Sequence, residues 1–387
     1  MKKGLLSVAV ICSFLFLARS PEVPSLQAML YPGLSENEIT ARRDSLIRAF
    51  YEDASARVDG IFNEIIKPNC PGAAVAVIQD GVFIHKNSYG LADLRTKEKI
   101  DSATRFLLAS VSKQFTAMAI MMLKEEGRLS YENPLYQYFP EIPSNWRPIT
   151  IRHLLTHTSG IPDRFWLIGY GEKYTNQDVL NRLIKNRALD FKPGTRFKYS
   201  NSGYNILALI VEKITGTSFP EFLQERIFDP LGMHDTTFFD EKSNPVIPHR
   251  AIGYRKTKNT FQANDFLLKT TGESGIFSSI EDLYKWDQSL YTEQLVSFKT
   301  LEEAFSPQVR ISYHENYGFG WRMTNSEEIK AVHHTGTLGG ISNIIFRVPQ
   351  KRFTIIILSN ANLQSRNYLV QRILDIYHLG LVEELNF

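Results

Sequence analysis

The stretch Leu108-Ala109-Ser110-Val111-Ser112-Lys113-Gln114-Phe115-Thr116-Ala117 sets a serine three residues ahead of a lysine. If the chain is helical from Val111 onward, positions three apart share a face, and the lysine amine stands over the serine hydroxyl. A serine hydroxyl alone is a poor nucleophile; an amine able to shed its proton makes it a usable one. The helix has local support. Phe115, Met118, Ala119, Met122 and Leu123 recur at helical spacing, and Gly127 is placed to end the run. Ser110 then stands at a helix N-terminus, where backbone N–H groups face developing negative charge. Serine and lysine are common residues, so the pair takes its meaning from what accompanies it.

Further along, Tyr199-Ser200-Asn201 follows a Pro193-Gly194 turn, and His334-Thr335-Gly336 leads into Thr337. The order S-x-x-K, Y-x-N, [K/H]-T-G resembles the serine penicillin-recognising hydrolases. The branch is that of class C β-lactamases, D-alanyl-D-alanine carboxypeptidases, D-aminopeptidases and related esterases. Residues 70–77, 89–93, 153–162 and 317–321 resemble further landmarks of that family, in its order, over roughly residues 60–380. The resemblance implies an α+β fold: an antiparallel sheet flanked by helices, a mostly helical lobe, and an active site in the cleft between them. It also implies roles. Ser110 is the nucleophile and Lys113 its base or proton relay, desolvated enough that its pKa falls toward neutrality. Tyr199 is the acid for the leaving group, its phenol flanked by ammonium groups and so titrating below a free tyrosine. Asn201 shares the tyrosine's loop and bonds the Lys113 amine or a substrate amide, while Lys198 and Ser200 point away.

Thr335 and Gly336 belong to an edge strand beside the substrate, and the Thr337 N–H is the second oxyanion donor beside that of Ser110. His334 stands where many relatives carry lysine. Unperturbed, histidine supplies a positive charge only below about pH 6.5, which argues against an efficient penicillin hydrolase; the resemblance adds that a histidine here is common in the esterase and D-aminopeptidase-like branches. Ser112 and Ser102 are competing hydroxyls, but Ser112 points round the helix from the Ser110 face. The alternative for Lys113 is a structural ion pair.

His153 and His157 are four apart, yet no H-E-x-x-H arrangement or third ligand accompanies them, so no metal is expected and the segment reads as structural. Phe165, Trp166, Tyr170 and Tyr174 are candidates for a cleft wall. No cofactor motif is present, and no class-A-type deacylation glutamate can be identified, so Tyr199 and Lys113 are left to activate water.

Composition bounds the rest. With 387 residues, 43% hydrophobic and 22% charged, the chain is long enough for two lobes around a substantial core. Lys2 and Lys3 precede an apolar run from Gly4 to Leu17, and Ala18-Arg19-Ser20 offers a cut, the layout of a secretory signal peptide. The alternative is an uncleaved anchor, the one route by which a membrane would be a partner. Loss of residues 1–20 takes the net charge from +3 to 0, so the basic balance belongs to the export signal. A nucleic-acid partner is not suggested. Cys70, the one cysteine left after that loss, reads as a small buried apolar residue.

Ser35 and Glu38 form a capping-box pattern before a helix over 35–66, with Leu46, Ile47, Phe50, Val58 and Phe62 as its stripe. Strands over 73–79 and 82–88 are joined by Asp80-Gly81, a hairpin signal. Helices are expected over 151–156, 176–185, 203–215, 219–227, 279–290 and 362–379, and strands over 329–334, 342–348 and 353–359. The domain reading is a signal peptide at 1–20, an N-terminal helical extension at 21–58 and a hydrolase domain at 59–387 with a helical lobe inserted at roughly 149–235. The expected protein is an exported serine hydrolase, periplasmic or extracellular. It forms an acyl-serine intermediate on a small-molecule or peptide substrate: a D-amino-acid peptide or amide, an ester or a β-lactam, with a cell-wall origin in view. The alternative is a catalytically silent fold used as a binding or sensor module.

Overall fold

Asp80 and Gly81 both adopt left-handed backbone (φ 51° and 78°), the geometry a two-residue hairpin needs, and they join β1 (Ala73–Gln79) to β2 (Val82–Tyr89). A computed structural model describes residues 35–163, 174–324, 330–362 and 364–378. β1 is apolar on both faces because both are covered. Ala74, Ala76 and Ile78 enter the larger core, while Ala73, Val75 and Val77 enter a second core on the opposite face.

The remaining sheet strands come from the C-terminal third: β3 (Val309–Arg310), β4 (Glu315–Tyr317), β5 (Arg322–Thr324), β6 (Val332–Leu338), β7 (Ile341–Val348) and β8 (Phe353–Ser359). They form one antiparallel sheet in the order β3-β4-β5-β6-β7-β8-β1-β2, in which Ala73 lies opposite Ser359. Strands from before the helical lobe and after it therefore build one sheet, antiparallel as the resemblance implied.

Two strand expectations need correction. The strand expected at 329–334 is β6, which runs on through His334-Thr335-Gly336 to Leu338 and turns at Gly339-Gly340. β3, β4 and β5 were not expected at all; at two or three residues each they are too short for alternation to register.

Helix α1 (Glu36–Ile65) starts at Ser35, whose side chain and that of Glu38 bond each other's backbone N–H. Ala54, Val58, Ile61 and Phe62 pack into the second core, whereas Leu46 is 38% exposed and leaves the expected stripe. The helix runs unbroken past residue 58, where the sequence reading divided extension from domain. On the other face of the sheet, one 3-10 turn (Ala109–Ser112) leads into α2 (Lys113–Glu125), whose residues Lys113 to Leu123 are all buried. The helix is thus enclosed between sheet and helical lobe rather than buried along one stripe.

The lobe contains α3 (Ile151–Leu155), α4 (Asn176–Asn186) and α5 (Asn201–Thr215), with a short helix at Phe219–Leu223. α6 (Ile280–Ser289) and α7 (Arg366–Ile376) complete the two faces. Among the described residues no helix is long and apolar enough to cross a membrane; residues 1–20 lie outside them.

Candidate active site

The turn that carries Ser110 is held under tension. Ala109 just before it takes φ 50°, a left-handed conformation that costs an L-residue about 1–2 kcal/mol. Residues paying such a cost cluster where function needs them. One turn on, the fully buried Lys113 sends its Nζ to Ser110 Oγ (3.2 Å), Asn201 Oδ1 (2.7 Å) and the Glu273 carbonyl (2.8 Å). Three acceptors match the three donors of an ammonium group; a neutral amine would keep a lone pair for the serine proton. The i, i+3 spacing read from sequence is therefore realised, although the serine stands in the 3-10 turn and the lysine opens the α-helix.

Asn201 is the first residue of α5 rather than a partner of Tyr199 in its loop. Asp163 Oδ2 accepts both the Asn201 backbone N–H and its Nδ2, each at 2.9 Å, which turns Oδ1 toward Lys113. Asp163 carried no sequence signal. Lys198 points away as expected, pairing with Asp190 at 2.6 Å, but Ser200 is buried, with no partner for its hydroxyl.

The Tyr199 ring is partly exposed to the cleft while its hydroxyl oxygen is buried beside Ser110. Burial, reinforced by the neighbouring Tyr317, pushes this phenol well above the ordinary tyrosine range; nearby Ser110 and Arg322 oppose the shift without reversing it. The expected lowering is overturned, and the reason is placement. The Lys113 amine and Arg322 guanidinium lie over the ring, 4.9 and 5.9 Å from its centroid, and position 334 supplies no ammonium group. Tyr199 rests as a neutral proton donor.

β5 pairs β6 only at Val332 and His333, so the edge from His334 onward is left to face the Ser110 turn. Gly336 allows that approach: a Cβ there would lie 2.1 Å from the Leu108 carbonyl oxygen. Arg366, from α7, bonds the Gly336 carbonyl (2.9 Å) and Thr337 Oγ1 (2.7 Å), tying the C-terminal helix to the strand edge. His334 is buried, and burial together with Arg322 and Lys113 drives its pKa well below the usual imidazole value. It carries no charge at neutral pH.

Ser110, Tyr199, Asn201, His334, Thr335 and Thr337 line one cavity of about 320 Å³. Gly336 is not among the lining residues; it lies against Leu108 and Ala109 of the Ser110 turn. Arg322 lines the same cavity, bonded through Nη1 to Glu315 at 2.5 Å; sequence reading passed it over because it lies in a three-residue strand. A larger hollow of about 660 Å³ beside α4 and α5 contains none of the motif residues. Of the proposed aromatic wall, Phe165, Trp166 and Tyr170 lie outside the described residues, and Tyr174 packs against Arg182 instead. His153 caps α3 through the Thr150 N–H, and His157 bonds Tyr317, so neither is placed as a ligand pair.

A hydroxyl beside an amine, a neutral phenol, and a strand edge facing the turn suffice for acyl transfer. Comparison with known proteins agrees with that chemistry. A family model described as Beta-lactamase matches residues 44–378. Penicillin-binding protein 4* of Bacillus subtilis (strain 168) is 36% identical over 307 residues, covering 74% of this chain and 67% of its own length. The chain spans about two thirds of the length of the curated relatives it matches. A penicillin binding protein from Bacillus halodurans superposes with a TM-score of 0.73 at 26% identity, over 83% of this chain and 98% of that one. D-amino acid amidase from Ochrobactrum anthropi SV3 shares the fold, with a TM-score of 0.71 at 21% identity, over 85% and 99% of the two chains. The chain belongs to the beta-lactamase family, within the serine β-lactamase and penicillin-binding protein superfamily of serine hydrolases.

Proposed function

We propose that this serine hydrolase is exported and acts through an acyl-Ser110 ester on a D-amino-acid peptide or amide, or a small ester, with β-lactams as poorer substrates. The observation that carries the reading is the Lys113 amine, fully buried and 3.2 Å from the Ser110 hydroxyl in a cavity shared with the Tyr199 phenol. Ser110 Oγ attacks the carbonyl carbon as its proton passes to the Lys113 amine. The Ser110 and Thr337 N–H groups receive the oxyanion. Tyr199 protonates the leaving group, and the proton held by Lys113 then returns to the tyrosinate, restoring both groups. Water resolves the ester with the same two groups in reverse.

The cavity's standing cation is Arg322 rather than residue 334. A substrate carboxylate is therefore held by Arg322, through nitrogens other than the one bonded to Glu315. Lys2, Lys3 and the apolar run behind them support export. The test is an acyl-enzyme mass shift measured against mixed D-peptides, β-lactams and short-chain esters, in native protein and in Ser110→Ala. Adducts on native protein alone support the reading. No adduct and no hydrolysis across the panel would leave a binding module as the surviving account.

A further inference from the structure

Behind the catalytic cavity lies a chain of hydrogen bonds whose direction can be worked out from its ends. The Ser200 backbone N–H meets His157 Nδ1 at 3.2 Å, and an amide can only donate. His157 Nδ1 is therefore an acceptor, and its neutral ring carries the proton on Nε2. That Nε2 lies 3.1 Å from the Tyr317 hydroxyl, which accepts from it. At the far end His334 Nδ1 lies 2.8 Å from the Thr335 carbonyl, which can only accept, so the His334 proton sits on Nδ1 and its Nε2 is an acceptor. Tyr317 Oη, 3.1 Å from that Nε2, has one proton to give and gives it there. Along this chain each member has one arrangement compatible with both neighbours, while the Tyr204 hydroxyl, which spends its own proton on Leu155, is a second acceptor beside Tyr317.

The two ends are the two walls of the cleft. Ser200 stands between Tyr199 and Asn201, and Thr335 opens the strand edge that continues to Thr337. His157 also lies against the Tyr199 ring, with centroids 4.2 Å apart, so the relay sets the place of the phenol as well as the width of the cleft. Around it stand Tyr204, whose hydroxyl donates to the Leu155 carbonyl, and the side chains of Lys113 and Arg322. His157, Tyr317 and His334 are all buried, so losing one member leaves a buried polar atom of its neighbour unpaired.

We propose that His157 and Tyr317 are positioning residues for the Ser110 reaction: with His334 they form a hydrogen-bond relay of fixed polarity that spaces the Tyr199–Ser200–Asn201 corner from the Thr335–Thr337 edge. The proposal rests on Ser110 as nucleophile, but its first test does not. In native protein with 15N-labelled histidine, long-range 1H–15N spectra at pH 7.5 are expected to place His157 in the Nε2–H form and His334 in the less common Nδ1–H form. His334 found as Nε2–H, or as a cation, would overturn the relay whatever the activity.

The second test is kinetic. Tyr317→Phe and His157→Leu should each lower kcat for acylation roughly 10–100-fold, the scale of one buried polar group left unpaired, with KM changed less than about threefold. His157→Gln offers an acceptor to Ser200 and a donor to Tyr317, and should recover most of the loss. Folded Tyr317→Phe and His157→Leu acylating at the native rate would remove any positioning role. A native protein that never forms the acyl ester defeats the proposed function, while the spectra still decide the relay.

Discussion

Gly336→Ala probes the closest approach in the site. The added Cβ would sit 2.1 Å from the Leu108 carbonyl oxygen, while real Cβ contacts under 3.0 Å essentially never occur. The clash is with backbone, so no rotamer relieves it, and strand edge and Ser110 turn must part by about 0.9 Å. Displacements near 1 Å at a reacting centre cost about a hundredfold in rate, close to 2.7 kcal/mol of barrier. Because Thr337 is the next residue, its N–H retreats from the oxyanion while Ser110, Lys113 and Tyr199 keep their own contacts. The expected result is kcat/KM for a short-chain ester down roughly a hundredfold, in a protein that still folds. Gly60→Ala, in α1 with nothing within 4 Å of the new Cβ, is the control: unchanged rate and about 0.5–1 kcal/mol of added stability. Rates within threefold of native for Gly336→Ala would refute the claim that this edge must touch the serine turn.

Lys113→Ala should slow ester hydrolysis by about a hundredfold or more as the base is lost, and near-native rates by stopped assay would exclude that role. Tyr199→Phe should depress hydrolysis of amides, whose leaving group needs a proton, far more than that of activated aryl esters; equal losses on both would remove it as the acid. Arg322→Ala should raise KM for carboxylate-bearing substrates and leave neutral esters alone, and a uniform effect would place the anion elsewhere. His157, His333 and His334 all have pKa values lowered from 6.5 by burial. As pH falls through 6.5 the unfolded chain binds protons that the native protein refuses, so stability present above that pH is lost below it. Tm should drop from pH 7.5 to 5 and drop less in His334→Gln; a flat Tm over that range would contradict the assignment.

Short-range physics was legible in the residues. The Ser35–Glu38 capping box, the Asp80-Gly81 hairpin and the helices of the lobe are decided by neighbours within four positions, and they stand where the pattern put them. So does the Ser110–Lys113 spacing, a property of one helical turn. Asp163, Arg322 and Arg366 had no such signal, and Tyr317 stood in a landmark without a role, because each acts on a residue distant in sequence and only packing brings it there. Protonation was hidden for the same reason: the character of Tyr199 and His334 is set by how much water the assembled walls exclude and where nearby cations sit. Residue identity determined which groups could react; burial and placement in the closed fold decided which of them carry charge.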